Sequence, residues 1–272
     1  MNTKSKIILA LLVVVVYACA TNPFTGKKSL DLISNNQIFS SSFQQYGQFL
    51  NENKVITGTT DALRVKNVGE KIKKAAETYL KSVGQEDYLK DYRWEYNLVE
   101  DPAVNAWCMP GGKIVFYTGI LPVCQDDAGI ATVMGHEVAH ALLNHGKSRM
   151  QTAMGLQLGE QIVGIATANQ SALTQQAVAL AYTGIGQFGV MLPFSRGDET
   201  EADEIGLLLM ALAGYNPDNA VSFWQRMAAN SGGAAPPQWM STHPSNTTRI
   251  NNIQKLIPGV KQQASKFGIT FQ

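Results

Sequence analysis

With 272 residues, 45% of them hydrophobic and only 16% charged, the chain can bury one sizeable core and lies far from disordered compositions. Its formal net charge of +1, with lysines and arginines scattered and no basic stretch interleaved with aromatics, argues against nucleic acid as a partner.

In chain order, Lys4 and Lys6 precede the apolar stretch Ile7 to Val16, which is too short to span a bilayer comfortably and reads as a signal peptide over residues 1–18. The stretch ends Val16-Tyr17-Ala18-Cys19. A small residue before Cys resembles a bacterial lipobox, with Cys19 as the lipidation site. Ala20 after it favours the outer membrane. The expected setting is therefore the periplasmic face of the membrane, with the membrane reached through a lipid anchor. Residues 19–33 read as a Pro/Gly-containing tether.

The main domain is expected over residues 34–260, followed by a tail at 261–272. Ser34 opens a helix that places Ile38, Phe39, Phe43, Tyr46 and Leu50 on one face. A second helix, from Asp61 to Lys81, should bury Leu63, Val65, Val68, Ile72, Ala76 and Tyr79. Trp94, Tyr96 and Leu98 then alternate with polar residues in a strand, and a Pro110-Gly111-Gly112 turn leads to another strand over Lys113 to Tyr117. Cys108 and Cys124 form an even pair that an oxidising compartment would bridge, the alternative being two buried thiols. Asp126 or Asp127 caps the following helix.

Met150 to Leu192 has Glu160 as its only charge, and a transmembrane hairpin must be weighed. The recurring glutamines oppose it, and the reading is two helices broken near Asn169, partly buried and movable over the site. Ser195 caps a helix to Ala213, Asn216-Pro217 opens another through Trp224, and Ser245 caps a last one closed by Pro258.

The chemistry centres on Gly135-His136-Glu137-Val138-Ala139-His140. Two histidines four apart share one helical face, so both rings can reach one zinc ion, with Glu137 placed to activate water there. A metzincin-type third ligand is excluded because Leu143 and Gly146 occupy the positions where Gly and His are required, and His145, one residue out of register, reads as a helix-end residue. A later carboxylate fits instead. In Ser195-Arg196-Gly197-Asp198-Glu199-Thr200-Glu201-Ala202-Asp203, Glu199 can bind the metal while Asp203, on the same face, takes the free N–H of a ligand histidine. Glu201 points elsewhere.

The stretch from Asn105 to Leu121, the H-E-x-x-H segment and the segment from Ser195 to Gly206 together resemble the HtpX / CAAX prenyl endopeptidase family of gluzincin metallopeptidases, with its exported lipoprotein branch (BepA/LoiP type) nearest. The resemblance runs from about Cys19 to Pro258. It implies an α+β, predominantly helical zincin-like domain with a small sheet packed on the H-E-x-x-H helix, one Zn2+ per chain held by His136, His140 and Glu199, Glu137 as catalytic residue and Asp203 behind the ligands.

The expected activity is a zinc-dependent endopeptidase of the bacterial cell envelope acting on misfolded or misassembled proteins. The alternatives are a chaperone-like assembly factor with a silent or gated zinc site, with an assembly machinery as partner, and an integral-membrane processing peptidase. His243, then Arg249, are candidate donors to the oxyanion, and His243 could instead occupy the open zinc position at rest. Gly111, Gly112, Lys113, Ile114 and Val115 are expected to offer an edge strand to an extended polypeptide substrate.

Overall fold

A computed structural model describes residues 19–31, 33–167, 192–230, 239–240, 243 and 247–271, with the backbone alone at 19, 30, 157–167 and 192–195. The fold is predominantly helical with a small sheet. Helices α1 (Asn35–Glu52) and α2 (Thr60–Ser82) follow an N-terminal pair of strands, β1 (Cys19–Thr21) and β2 (Lys28–Leu30). A four-stranded sheet is built from β3 (Val55–Ile56), β4 (Glu95–Val99), β5 (Ala106–Met109) and β6 (Lys113–Tyr117). The short α3 (Leu121–Cys124) leads into α4 (Asp127–Leu142), which is followed by α5 (His145–Thr167), α6 (Leu192–Leu212), α7 (Asn219–Ala229) and α8 (Thr247–Ser265). Among the described residues, no helix is long and apolar enough to cross a membrane.

Local chemistry sets the helix starts. Ser34 and Gln37 form a reciprocal capping box on α1, Thr59 caps α2, and Asp126 accepts from the Gly129 amide at 2.8 Å to open α4. On α2 the stripe Val65, Val68, Ile72, Ala76 and Leu80 is buried as its period requires. Leu63 departs from the expectation and is about half exposed, because it lies roughly 140–200° round the helix from Val65, Val68 and Ile72.

The sheet order is β3-β4-β6-β5, with β6 parallel to β4 and antiparallel to β5. The strand expected at an edge, β6, is therefore interior. Lys113 through Phe116 are all buried, as a strand covered on both faces demands. On one face Tyr46 of α1 donates to the Ile114 carbonyl at 2.9 Å. Gly111 and Gly112 take φ near +85°, the left-handed turn leading into β6. A Cβ on Gly111 would meet Phe43 at 2.6 Å and one on Gly112 would meet Trp94 at 2.8 Å, so this pair lies beneath aromatics, and its carbonyls accept from the Arg93 and Glu95 amides.

Three further expectations change. The 19–33 tether is folded: β1 and β2 pair antiparallel, Phe24 stacks on Tyr79 with centroids 4.8 Å apart, and Asn22 Nδ2 donates to the Leu142 carbonyl at 2.9 Å. Helix α8 does not stop at Pro258 but runs to Ser265, with Ile257, Val260 and Ala264 buried, so residues 261–271 belong to the packed body rather than to a tail. Burial there outweighs the single hydrogen bond that a proline removes. Helix α6 begins at Leu192, so Ser195 lies inside it, and Pro193 falls in the first turn, where a missing N–H is harmless. The break near Asn169, the helix after it and the Ser245 cap lie outside the described residues.

Candidate metal centre and peptidase site

Helix α4 is buried from Gly129 to Leu142 on every side, so its polar residues point into protein. His136 and His140 stand edge to face, with Nε2 atoms 3.1 Å apart. Two glycines bring α6 alongside. A Cβ on Gly135 would sit 2.6 Å from the Gly206 carbonyl oxygen, and one on Gly206 would sit 2.8 Å from the His136 nitrogen. That backbone approach sets Glu199, about two turns before Gly206, against the imidazoles. Its oxygens lie 3.4 Å from His136 Nε2 and 3.2 Å from His140 Nε2.

A fourth donor completes the group. His243 Nδ1 lies 2.9 Å from Glu199 Oε1 and 3.2 Å from His136 Nε2, and all four ligand atoms fall within 4.8 Å of one another. Four N and O donors at about 2.0–2.1 Å from a tetrahedral ion stand roughly 3.3 Å from each other. The measured separations match that edge, and the two-imidazole, one-carboxylate core is a zinc-type donor set. The residues fit a single metal ion.

Behind them lies a tight outer layer. Asp203 Oδ1 is 3.0 Å from His136 Nδ1, on the nitrogen facing away from the donor group. Arg249 grips Asp203 with two donors at 2.7 and 2.8 Å, reaches Glu199 with a third at 3.1 Å, and lies 3.7 Å over the Trp224 ring. Expected as an oxyanion donor, Arg249 is instead turned onto these two carboxylates and is absent from the residues lining the cleft. Trp239, stacked on Trp224, donates its indole N–H to Glu137 Oε1 at 2.6 Å, and His243 Nε2 is 3.4 Å from the same oxygen. Sequence reasoning passed over Trp239 because a loop tryptophan beside a Gly/Ala/Pro run has no spacing relation to the motif.

The electrostatics follow from this packing. Burial and the Arg249 charge push His136 down, but the Asp203 and Glu199 carboxylates prevail and raise it to about 9. Burial dominates at His140 and holds it well below its usual value. Burial alone would raise Glu199, yet hydrogen bonds from His136, His140 and His243 hold its carboxyl far below the ordinary range.

A cleft of about 320 Å3 opens beside Glu137, His140 and His243, lined on its other wall by Asn105, Ala106, Trp107 and Cys108. That wall is β5, so among the described residues the sheet edge that was expected of β6 belongs to its neighbour. Cys108 and Cys124 are both free, which corrects the expected bridge. Cys124 precedes the N-terminus of α4, whereas Cys108 shares the cleft with Glu137 and His140, more than half the helix away. That separation is about 15 Å at 1.5 Å per residue, beyond the roughly 7 Å a disulfide tolerates. His145 is the buried first residue of α5, three positions beyond the end of α4, with Nδ1 2.8 Å from His140 Nδ1.

The family model for peptidase family M48 matches residues 64–257, a span that holds every donor just described. The chain belongs to peptidase family M48. It is 37% identical over 180 residues to the mitochondrial metalloendopeptidase OMA1 of Schizosaccharomyces pombe, covering 65% of this chain and 51% of that protein. It is 30% identical over 245 residues to the human mitochondrial metalloendopeptidase OMA1, covering 87% of this chain and 45% of that one. The beta-barrel assembly-enhancing protease of Yersinia pestis is 25% identical over 168 residues, 59% of this chain and 34% of that protein. The chain thus spans about half the length of the mitochondrial relatives it matches.

The metallopeptidase class read from the motifs is the class of this family. The expected compartment is not supported: the names of the OMA1 relatives carry a mitochondrial location, which overturns the expectation of a periplasmic, outer-membrane lipoprotein.

Proposed function

We propose that this chain is a zinc-dependent endopeptidase that cuts internal bonds of unfolded or misassembled polypeptides. The observation that carries this reading is the convergence of His136, His140 and Glu199 on one point, with the Glu137 carboxylate beside them at the mouth of a cleft. His136, His140 and Glu199 would hold the ion, and Asp203 with Arg249 keeps their side chains aimed. Zinc, when bound, supplies the Lewis acid that acidifies water and polarises the scissile carbonyl. Glu137, steadied by Trp239, takes the proton from the attacking water and hands it to the leaving amine.

The place of β5 at the sheet edge among the described residues supports a substrate that is extended and sequence-tolerant, since backbone pairing reads no side chains. The OMA1 relatives' printed name, metalloendopeptidase, supports internal cleavage, and that of the Yersinia pestis relative, a beta-barrel assembly-enhancing protease, supports a link to protein assembly.

His243 fills the fourth donor position, which favours a second reading in which the site is closed at rest and the chain acts as a chaperone-like assembly factor. On the first reading His243 withdraws to admit substrate, and its ring N–H then serves the developing oxyanion.

One assay separates the two. Chelator-sensitive cleavage of an unfolded protein such as casein, lost by at least about 100-fold in Glu137→Gln while zinc content stays constant, supports the peptidase. Cleavage that survives Glu137→Gln sinks the proposed role. Suppressed aggregation without any cleavage favours the chaperone.

A further inference from the structure

We infer that His145 is the positioning residue of the second imidazole, His140, and that it sets this ring beside the helix that carries Glu199. The inference rests on the zinc reading above. The local chain makes the contact. On a continuing helix a residue five positions after His140 would lie about 140° round from it and could not meet it. Helix α4 instead stops at Leu142, because Asn144 takes φ +58°, and the Asn144 side chain donates to the Tyr88 hydroxyl at 3.0 Å. That left-handed corner turns the chain back and sets His145, buried at 4% exposure, beneath His140 with the two Nδ1 atoms 2.8 Å apart.

The hydrogens are then determined. With His140 Nε2 directed at the donor group, its Nδ1 carries the proton and donates to His145 Nδ1. His145 must be the neutral tautomer with its hydrogen on Nε2, and that nitrogen faces Asp198 Oδ1 at 3.7 Å and Glu201 Oε2 at 3.9 Å. Those two carboxylates flank Glu199 on α6. Arg149, one turn along α5 from His145, donates Nε to Asp198 Oδ2 at 3.3 Å and holds that carboxylate in place. The two metal-site imidazoles are thus oriented by different means: His136 by the Asp203 carboxylate and His140 by a neutral imidazole.

The test compares His145→Leu, which fills the space without an acceptor, with His145→Asn, whose Oδ1 replaces the accepting nitrogen. Zinc affinity of the full chain is measured by competition with a chromogenic chelator, and the melting temperature of the metal-free protein is recorded for each. Loss of an outer partner of a metal-bound histidine weakens metal binding about 10- to 100-fold. That is the expectation for His145→Leu, with His145→Asn restoring most of it and the two metal-free melting temperatures alike. If His145→Leu fails to fold, His145→Ala takes its place in the comparison with His145→Asn. Zinc binding by the acceptor-less variant within about twofold of wild type overturns the inference, since it lies outside the expected 10- to 100-fold range, and so does an equal loss in both variants, since the restored acceptor would then make no difference. A wild-type chain that binds no zinc overturns the metal reading itself, a distinct result.

Discussion

Glu137 sits in a buried pocket where the Trp239 indole N–H donates to Oε1 at 2.6 Å and His243 Nε2 lies 3.4 Å from the same oxygen. The indole contact fixes the carboxylate at the mouth of the cleft while leaving its second oxygen for water. Trp239→Phe keeps the stack on Trp224 and deletes the donor. A hydrogen bond to a charged group contributes about 1.5–3 kcal/mol, so turnover should fall roughly 10- to 100-fold with zinc affinity unchanged. An unaltered turnover would show that the indole only packs.

His136 makes a prediction of opposite kind. In the metal-free protein its ring stays protonated up to about 9, because Asp203 and Glu199 outweigh burial and Arg249. Zinc must displace that proton, so affinity should rise about tenfold per pH unit and level off near 9, with about one proton released per zinc at neutral pH. Calorimetry in buffers of different ionisation enthalpy measures it. No proton release would contradict the raised value. For the metal-free fold the sign runs the other way: the stability this proton contributes is complete below 6.5 and is lost as pH rises through about 9.

Among the elements, the crossing of α4 and α6 decides the site. Gly135 and Gly206 permit backbone contact there, and no flexible side chain stands between them that could yield. Gly206→Ala puts a methyl 2.8 Å from the His136 nitrogen. The helices must separate, at a cost of about 1–3 kcal/mol in stability. Because Glu199 rides on α6, zinc affinity should fall as well. Thermal unfolding and metal titration of Gly206→Ala check both, and a fall in melting temperature with zinc binding intact would separate packing from site geometry.

The sheet shows a similar dependence on neighbours. Alternation located the strands around Leu98 and Lys113, but period alone does not tell an edge strand from an interior one. Lys113 illustrates why: its ammonium pairs with Glu95 at 2.8 Å and lies over Phe43 and Tyr46, so a charged residue sits buried in an interior strand. The two-residue β3 is too short to carry any periodic signal.

Across the whole molecule the site is gathered from remote stretches: Trp239 meets Glu137 102 positions away, and Arg249 meets Asp203 46 positions away. Arg249 lies on α8, whose later turns bury Ile257, Val260 and Ala264, and Ile269 and Phe271 pack on the same core. The C-terminal segment therefore holds the guanidinium against the metal helix from a distance. Deleting residues 260–272 removes the buried Val260 and Ala264 and the partly buried Phe267, Ile269 and Phe271, a change on the scale of about 2–5 kcal/mol for each large group lost. The truncated chain should melt several degrees lower and bind zinc more weakly, as circular dichroism and metal titration would show. Unchanged melting would mean that α8 is anchored by its first turns alone.

The sequence by itself determined what local rules can carry. Capping residues and apolar stripes placed α1, α2 and α4. Four-residue spacing put His136 with His140 and Glu199 with Asp203 on common faces, because helical periodicity is a property of the backbone and needs no partner. Tertiary structure alone decided that these two faces meet, that Trp239 and Arg249 lock the groups in place, that His145 turns back beneath His140, that β5 rather than β6 is the edge, and that Cys108 and Cys124 never approach. Each of those depends on distances between segments far apart in the chain, and such distances are set by how buried surfaces fit together, which no spacing along the sequence encodes.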